Sequence, residues 1–98
     1  MKYLLTVRPE AEQELAEAFE WYEARVRGLG SEFLLAVDAT IHAIARNPLH
    51  FAEIYKEVRR ALLSRFPYAV FFLIAGTRIV ILAVFHAKRD PKQWQERM

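Results

Sequence analysis

The chain has 98 residues, of which 54% are hydrophobic and none is cysteine, which excludes a disordered chain, disulfides, thiol catalysis and the commonest zinc ligand sets. Its net charge of +2 divides into nine acidic and five basic residues through Tyr55, and nine basic and three acidic residues from Lys56 onward, so the second half favours an anionic partner. No run approaches the roughly 18 apolar residues that span a bilayer, and Met1 to Pro9 is too short and too quickly charged for a signal peptide, so we expect one cytoplasmic domain over residues 1–98 that has no membrane partner.

The N-terminal part of the chain predicts a strand followed by a helix. Residues Lys2 to Val7 are rich in β-branched, aromatic and leucine side chains, which favours a strand. Pro9 suits a first helical turn, and the glutamates that follow it are favourable near a helix N-terminus. Trp21 is expected at the flank of this helix. Apolar residues recur at spacings of three and four along the helix and predict a stripe that faces the core: Ala11, Leu15, Ala18, Phe19, Tyr22 and Val26.

A second helix is predicted after the break at Gly28-Leu29-Gly30. Ser31 is the expected N-cap, because its hydroxyl can accept a hydrogen bond from an unpaired backbone N–H. The helix should end near Asn47, since Pro48 disfavours helical geometry in the residue before it. Its apolar stripe is predicted to contain Leu34, Val37, Ile41 and Ile44, with Phe33 and Ala45 beside it.

From Val58 onward the pattern changes to that of three strands. The predicted strands are Val58 to Leu63, Tyr68 to Ile74 and Arg78 to Phe85. The connections between them are short, which only antiparallel neighbours can use, so we predict a three-stranded meander that is joined by the N-terminal strand. Asp90 then caps a short helix that runs through Arg97. The predicted fold class is α+β, with a two-helix hairpin packed on an antiparallel sheet.

The last two predicted strands carry apolar residues on both faces, and one helical hairpin can cover only one of them. Phe71 and Leu73 alternate with Val70 and Phe72, for example. An apolar second face would remain available to a partner. The alternative is that the C-terminal helix folds back through Trp94 and covers that face.

The order of these elements and the residues within them resemble the RelE/ParE toxins, among which the ParE branch includes plasmid stabilisation proteins. The likeness runs along nearly the whole chain. It is carried by Val7-Arg8-Pro9-Glu10-Ala11-Glu12 with Leu15, Trp21-Tyr22-Glu23, Leu29-Gly30 with Phe33-Leu34, Pro48, Arg59-Arg60, Phe66-Pro67-Tyr68 with Val70-Phe71, His86, Arg89-Asp90-Pro91 and Trp94.

The resemblance implies a bacterial toxin of a type II toxin–antitoxin system, neutralised by a cognate antitoxin protein, either as a homodimer or in a toxin–antitoxin hetero-oligomer. ParE-like members poison DNA gyrase by binding, whereas RelE-like members cut mRNA on the ribosome. The ParE branch is the more similar, because Ala87 stands where some nucleases carry tyrosine and a dense lysine set is missing. A third interpretation is a module member that is retained only for binding.

Two sets of site residues follow from these alternatives. Cleavage of RNA would require an acid or base and cations, for which the candidates are His86 and a cationic set of Arg59, Arg60, Arg65 and Arg89. His86 could instead be a strand-end histidine satisfied by a backbone carbonyl, and the arginines could form a solvated face. No histidine pair has the close spacing that zinc sites use, so no metal or other cofactor is expected. The residues expected to contact the antitoxin or the target are Arg60, Tyr68, Phe72, Leu82 and Trp94.

Overall fold

A computed structural model describes residues 2–97 of the chain. The described elements confirm the predicted helical hairpin, the three-stranded meander, the N-terminal strand and the short C-terminal helix. No helix within residues 2–97 has the length and hydropathy needed to cross a membrane. In chain order, the elements are β1 (Leu4–Val7), α1 (Pro9–Arg25), α2 (Leu29–Arg46), a 3₁₀ turn (Pro48–His50), β2 (Glu53–Tyr55), β3 (Val58–Leu62), β4 (Tyr68–Ala75), β5 (Arg78–His86) and α3 (Lys92–Gln95).

The strands form one sheet in the order β1-β5-β4-β3-β2. Strands β3, β4 and β5 are antiparallel neighbours, as their short connections predict. Strand β1 pairs with β5 in parallel, a pairing that requires a crossover, and the helical hairpin is part of that crossover. Strand β2 was not predicted. Its three residues are too few for an alternating pattern to stand out, and it is defined by its pairing with β3.

Helix α1 begins at Pro9, and its apolar stripe packs against the sheet through Ala11, Ala18 and Tyr22. Placing Val26 in that stripe is wrong. The helix ends at Arg25, so helical periodicity no longer positions Val26, which is 58% exposed.

The predicted N-cap at Ser31 is also wrong. Helix α2 begins two residues earlier, at Leu29, after Gly28 in the left-handed conformation with φ of 88°. The carboxylate of Glu23 accepts hydrogen bonds from the backbone N–H groups of Gly28 (2.9 Å) and Gly30 (3.0 Å). A side chain of the preceding helix therefore satisfies N–H groups at the start of α2, and Ser31 lies exposed inside the helix.

The buried face of α2 differs from the predicted stripe at its N-terminal end. Phe33, Val37 and Ile44 are buried, whereas Leu34 is 40% exposed. The stripe is therefore turned toward Phe33, whose ring contacts Tyr22 and Tyr68 with centroid separations of 5.2 and 5.0 Å. The helix ends at Arg46, beside Asn47 as predicted.

A β-bulge in β5 changes which side chains face the helices. Phe71 pairs with Ala83 and Phe72 with Ile81, so that Leu82 has no partner opposite it. Before the bulge, Ile81 packs into the core under the helices, and after it Val84 does so. The bulge therefore reverses the alternation in the last part of β5, ahead of His86.

The prediction of an open apolar second face is wrong. Helix α3 folds back over this face, where Trp94 is 2% exposed and stacks on Phe71 with ring centroids 4.4 Å apart. Phe85 and Leu82 are each 1% exposed in the same cluster. The second face of the sheet thus forms a second core, and the alternative prediction, in which the C-terminal helix covers this face through Trp94, is the correct one. Helix α3 ends at Gln95 instead of the predicted Arg97, and its N-cap is Pro91 instead of Asp90, although the Asp90 carboxylate accepts a hydrogen bond from the Lys92 backbone N–H (3.0 Å).

Candidate functional site

Two cavities meet at the end of β5, and His86 and Arg89 line both of them. His86 is the last residue of β5, and the backbone N–H of Arg89 donates to the His86 carbonyl at 3.1 Å, which turns the chain back toward the sheet. One cavity lies between α1 and the sheet. The other lies beside α3.

We call the first the tyrosine cavity. It has a volume of about 470 Å³, and most of its wall is aromatic or apolar. Tyr68 and His86 are cross-strand neighbours within it, with ring centroids 5.3 Å apart. Its lining residues are Glu14, Glu17, Ala18, Trp21, Tyr22, Pro67, Tyr68, Val84, His86 and Arg89.

Both tyrosines of this cavity keep their hydroxyl protons to a higher pH than an exposed tyrosine does. Burial raises the pKa of Tyr22 above its ordinary value of 10.0, and the neighbouring Tyr68 raises it further. Burial also raises the pKa of Tyr68, where the Arg89 guanidinium acts in the opposite direction and the Glu14 carboxylate adds to the rise. Each hydroxyl is therefore a hydrogen-bond donor at neutral pH.

The ring of His86 is oriented by a backbone hydrogen bond. Its Nδ1 accepts a hydrogen bond from the Lys88 N–H at 3.1 Å, so the partner is an amide rather than the carbonyl considered above. A ring nitrogen that accepts such a bond carries no proton, and the neutral imidazole therefore holds its proton on Nε2. With the two tyrosine hydroxyls, the Nε2–H of His86 is thus a third donor at this end of the sheet.

The back of the tyrosine cavity is closed by an ion pair. Glu14 Oε2 lies 2.6 Å from Arg97 Nη2, and the two side chains are only 11% and 17% exposed. Glu14 Oε1 also accepts a hydrogen bond from the Val84 N–H (3.0 Å), and Arg97 Nη1 donates to the Leu82 carbonyl (3.1 Å). The Glu14 carboxylate is thus already occupied by partners within the chain.

We call the second the arginine cavity. Its volume is about 270 Å³. Neither Arg60 nor Arg89 forms an ion pair within residues 2–97, and the Arg89 guanidinium lies 4.8 Å from the centre of the Phe85 ring. Two unpaired guanidinium groups beside an imidazole form a site suited to a phosphate or carboxylate. The lining residues are Ile54, Arg60, Phe71, His86, Ala87, Arg89, Pro91, Trp94 and Gln95.

The other two predicted cations lie away from His86. Arg59 lies beside Phe72, whereas His86 lies beside Tyr68, which is four residues earlier in β4 and therefore roughly 13 Å away at the ~3.3 Å rise of a strand. Its guanidinium donates to the Phe51 carbonyl at 2.6 Å. Arg65 lies in the β3–β4 turn, 2.7 Å from Glu32. The structure therefore brings His86 and Arg89 together but not Arg59 and Arg65.

The predicted contact residues divide by burial. Phe72, Leu82 and Trp94 are 0%, 1% and 2% exposed, because the two cores enclose them, so they are not accessible to a partner in this conformation. Tyr68 is half-buried at the tyrosine cavity, and Arg60 is exposed at the arginine cavity. Only these two of the five can be reached from outside.

Apolar surface is nevertheless exposed elsewhere, along a groove between α2 and β3. Leu35 and Leu62, on its two walls, are 69% and 61% exposed. The groove has a volume of about 460 Å³. Exposed apolar surface was predicted on the second face of the sheet, whereas the structure has it in this groove between α2 and β3.

Sequence reasoning missed the role of Glu14, and it did not distinguish Arg60 from Arg59 and Arg65 as the arginine that lies near His86. Glu14 resembles the other glutamates of α1, and only the packing of α1 beside β5 distinguishes it. The grouping of Arg60 with His86 depends on the strand register and on the bulge. A usable signal existed for Arg60, since it alternates with Arg59 and so must lie on the opposite face of β3. Within residues 2–97 no cluster of three His, Asp or Glu side chains could hold a metal ion.

The fold matches solved toxin structures. One, described as the chromosomal ParDE toxin–antitoxin system from P. aeruginosa, has a TM-score of 0.78 at 17% identity, covering 87% of this chain and 96% of that chain. Another, the toxin–antitoxin complex RelBE2 from Mycobacterium tuberculosis, has a TM-score of 0.64 at 22% identity, covering 88% of this chain and 99% of that one.

The sequence relations are closer. Toxin ParE2 of Mycobacterium tuberculosis, in both strains CDC 1551 and H37Rv, is 34% identical over 88 residues, which is 89% of this chain and 84% of the relative. Residues 5–91 match the family described as the ParE toxin of the type II toxin–antitoxin system parDE. The chain therefore belongs to the ParE toxin family of type II toxin–antitoxin systems.

Proposed function

We propose that the protein is a cytoplasmic growth inhibitor that poisons DNA gyrase by binding and is neutralised by a cognate antitoxin. The observation that carries the proposal is the family match over residues 5–91, together with the 34% identity to a toxin named ParE2. The separation of Arg59 and Arg65 from His86 supports the same conclusion, because it leaves the predicted cleavage set incomplete.

The proposed neutralisation is by an acidic, partly disordered antitoxin segment that wraps the toxin into a hetero-oligomer. The segment's charge would complement the second half of the chain, with nine basic and three acidic residues. Exposed apolar side chains at Leu35 and Leu62 offer it contact area outside the sealed cores.

An mRNA endonuclease is the second candidate function, and the arginine cavity favours it. Arg60 and Arg89 could bind the scissile phosphate, while the Nε2–H of His86 could donate a hydrogen bond to one of its oxygens and so stabilise the charge that develops there. This set is the predicted one without Arg59 and Arg65, which bind other partners. Its substrate would be ribosome-bound mRNA, as in the RelE-like members that the sequence resembles.

Incorporation of labelled thymidine and methionine after induction separates the two candidates. Gyrase poisoning predicts that thymidine incorporation falls first, and that purified protein inhibits supercoiling by purified gyrase. The matched variants are Arg60→Gln and Arg46→Gln, of which the first alters the arginine cavity and the second an exposed position of α2. Early loss of methionine incorporation with intact DNA synthesis, abolished by Arg60→Gln alone, would contradict gyrase poisoning and support the nuclease.

The antitoxin is tested separately, by co-expression with the small open reading frame next to the gene. The expected result is restored growth and copurification of the two chains. A neighbour that neither restores growth nor copurifies would contradict the two-component system.

A further inference from the structure

The tyrosine cavity contains a polar group that the protein itself does not use. Tyr22 is 9% exposed and lines the cavity, and its hydroxyl has no hydrogen-bond partner among the described residues. No fully buried side-chain oxygen or nitrogen of those residues lacks a partner. The Tyr22 hydroxyl is therefore not fully buried, and because Tyr22 lines the cavity, the hydroxyl is available to a ligand there.

The groups around this hydroxyl are mostly donors. Tyr68 adds a second hydroxyl, His86 adds an Nε2 proton, and Arg89 adds a guanidinium that has no ion-pair partner within residues 2–97. The acceptor at the back, Glu14, is held by Arg97 and by the Val84 N–H. A ligand that supplies acceptors therefore suits Tyr22, Tyr68, His86 and Arg89, and a carboxylate supplies two oxygens.

Most of the remaining lining of the cavity is apolar, which favours a carboxylate that belongs to a larger molecule with an apolar part. Ala18, Pro67 and Val84 line it, and the Trp21 ring, 51% exposed, stands at its side. Glu17 also lines it, and its carboxylate accepts a hydrogen bond from Gln13 Nε2 at 3.3 Å. A carboxylate next to an apolar or aromatic side chain fits such walls better than a hydrated free ion does.

We infer that the tyrosine cavity binds an acidic side chain, flanked by an apolar one, from the antitoxin, with its carboxylate on Tyr22, Tyr68 and Arg89. The inference rests on the proposed neutralisation by an antitoxin and specifies where one anchor lies. Local charge supports a protein segment of this kind, since Glu14 on the α1 wall is neutralised by Arg97, whereas Arg89 on the sheet wall has no ion-pair partner within residues 2–97.

A carboxylate bound in the tyrosine cavity would also affect the binding of a target to the toxin. His86 and Arg89 line the arginine cavity as well as the tyrosine cavity. A carboxylate bound on Arg89 from the helix side neutralises a cation that an anionic target would need on the other side. The antitoxin could therefore weaken target binding without filling the arginine cavity.

The test is the affinity of the purified full-length variants for the neutralising antitoxin, measured by calorimetry. Tyr22→Phe removes one donor and keeps the ring, and Tyr55→Phe is the matched control on β2. Arg89→Gln and Arg46→Gln form the second pair. We expect Kd to rise about tenfold or more for Tyr22→Phe and for Arg89→Gln, because hydrogen bonds to a charged group are the stronger ones, and to stay within about twofold for both controls. Thermal unfolding verifies that each variant is folded.

A double-mutant cycle identifies the partner carboxylate. Asp→Asn and Glu→Gln variants of the antitoxin are tested against wild-type toxin and against Arg89→Gln toxin. One of them should bind wild-type toxin more weakly than the unaltered antitoxin does. Against Arg89→Gln toxin, the same variant and the unaltered antitoxin should bind about equally. An unchanged Kd for Tyr22→Phe, with antitoxin bound normally, overturns the inference and leaves the proposed function intact. Wild-type protein that binds no antitoxin overturns both. A Tyr22→Phe effect on self-association alone would assign the cavity to a second copy and also overturn the inference.

Discussion

At the scale of single residues, Glu14 and Arg97 complete the outer edge of β5. Strand β1 pairs with β5 only as far as the hydrogen bond from Arg8 N–H to the Ile81 carbonyl (3.0 Å). Beyond it, the Leu82 carbonyl and the Val84 N–H would face outward without a strand partner. The two charged side chains take over those hydrogen bonds and satisfy each other.

Replacing Glu14 should therefore destabilise the fold. Glu14→Ala leaves the mostly buried Arg97 guanidinium and the Val84 N–H without their partner, at a cost of about 2 to 4 kcal/mol in the free energy of unfolding. Urea denaturation measures the change. Glu20→Ala, at an exposed position of the same helix, is the control and should change stability by less than ~0.5 kcal/mol. Equal effects of the two substitutions would contradict the role of the ion pair.

A second residue-scale prediction concerns Tyr22 and pH. Burial raises the pKa of Tyr22 in the folded state above 10.0, the value that applies when the chain is unfolded. The folded protein then holds this proton more tightly, so its contribution to stability is complete below pH 10 and is lost as pH rises through the folded-state pKa. The difference in near-ultraviolet tyrosinate absorbance between wild type and Tyr22→Phe reports the titration. A midpoint at or below pH 10 would contradict it.

At the scale of elements, the junction of α1 and α2 depends on close approach at Gly30. A Cβ added at Gly30 would lie 2.7 Å from the Phe19 carbonyl oxygen and 2.9 Å from Glu23 Oε1. The carbonyl belongs to the α1 backbone and cannot move without shifting that helix. The hairpin therefore depends on glycine at this position for space.

Gly30→Ala should consequently destabilise the protein by about 1 to 3 kcal/mol, even though alanine favours helix more than glycine does. Ser31→Ala is the matched control. Because Ser31 is not the N-cap, this substitution should change stability by less than ~0.5 kcal/mol, whereas loss of a capping serine costs about 1 kcal/mol. Thermal unfolding of the two variants distinguishes these outcomes, and a large loss for Ser31→Ala would restore the capping role.

At the scale of the whole molecule, the sheet separates two hydrophobic cores, one covered by more helix than the other. The two long helices enclose one, and the short α3 encloses the other mainly through Trp94. The hypothesis that a partner must shelter the second face is therefore not needed, and the toxin assignment depends on the family match instead of on an open apolar sheet.

Removing Trp94 should reopen that face. Trp94→Ala is expected to cost about 3 to 5 kcal/mol and to increase the binding of a hydrophobic dye, because Phe71 and Phe85 lose their cover. Trp21→Ala, at a site that is 51% exposed, should cost less than ~1 kcal/mol and leave dye binding unchanged. Similar dye binding by both variants would show that α3 does not seal the second core.

The order of all the elements except β2, the helix start at Pro9 and the helix end before Pro48, the antiparallel meander and the resemblance to a toxin family could be predicted from the sequence. Those properties depend on periodicity, on proline geometry and on loop lengths, which residues close together in the chain define. Three further properties became visible only in the folded chain: Arg60 and Arg89 share a cavity with His86, Glu14 completes a strand edge, and of the two predicted alternatives for the second face it is Trp94 that covers it. These outcomes depend on the register between distant strands and on one bulged residue, Leu82, whose effect on every later side chain of β5 has no local signature.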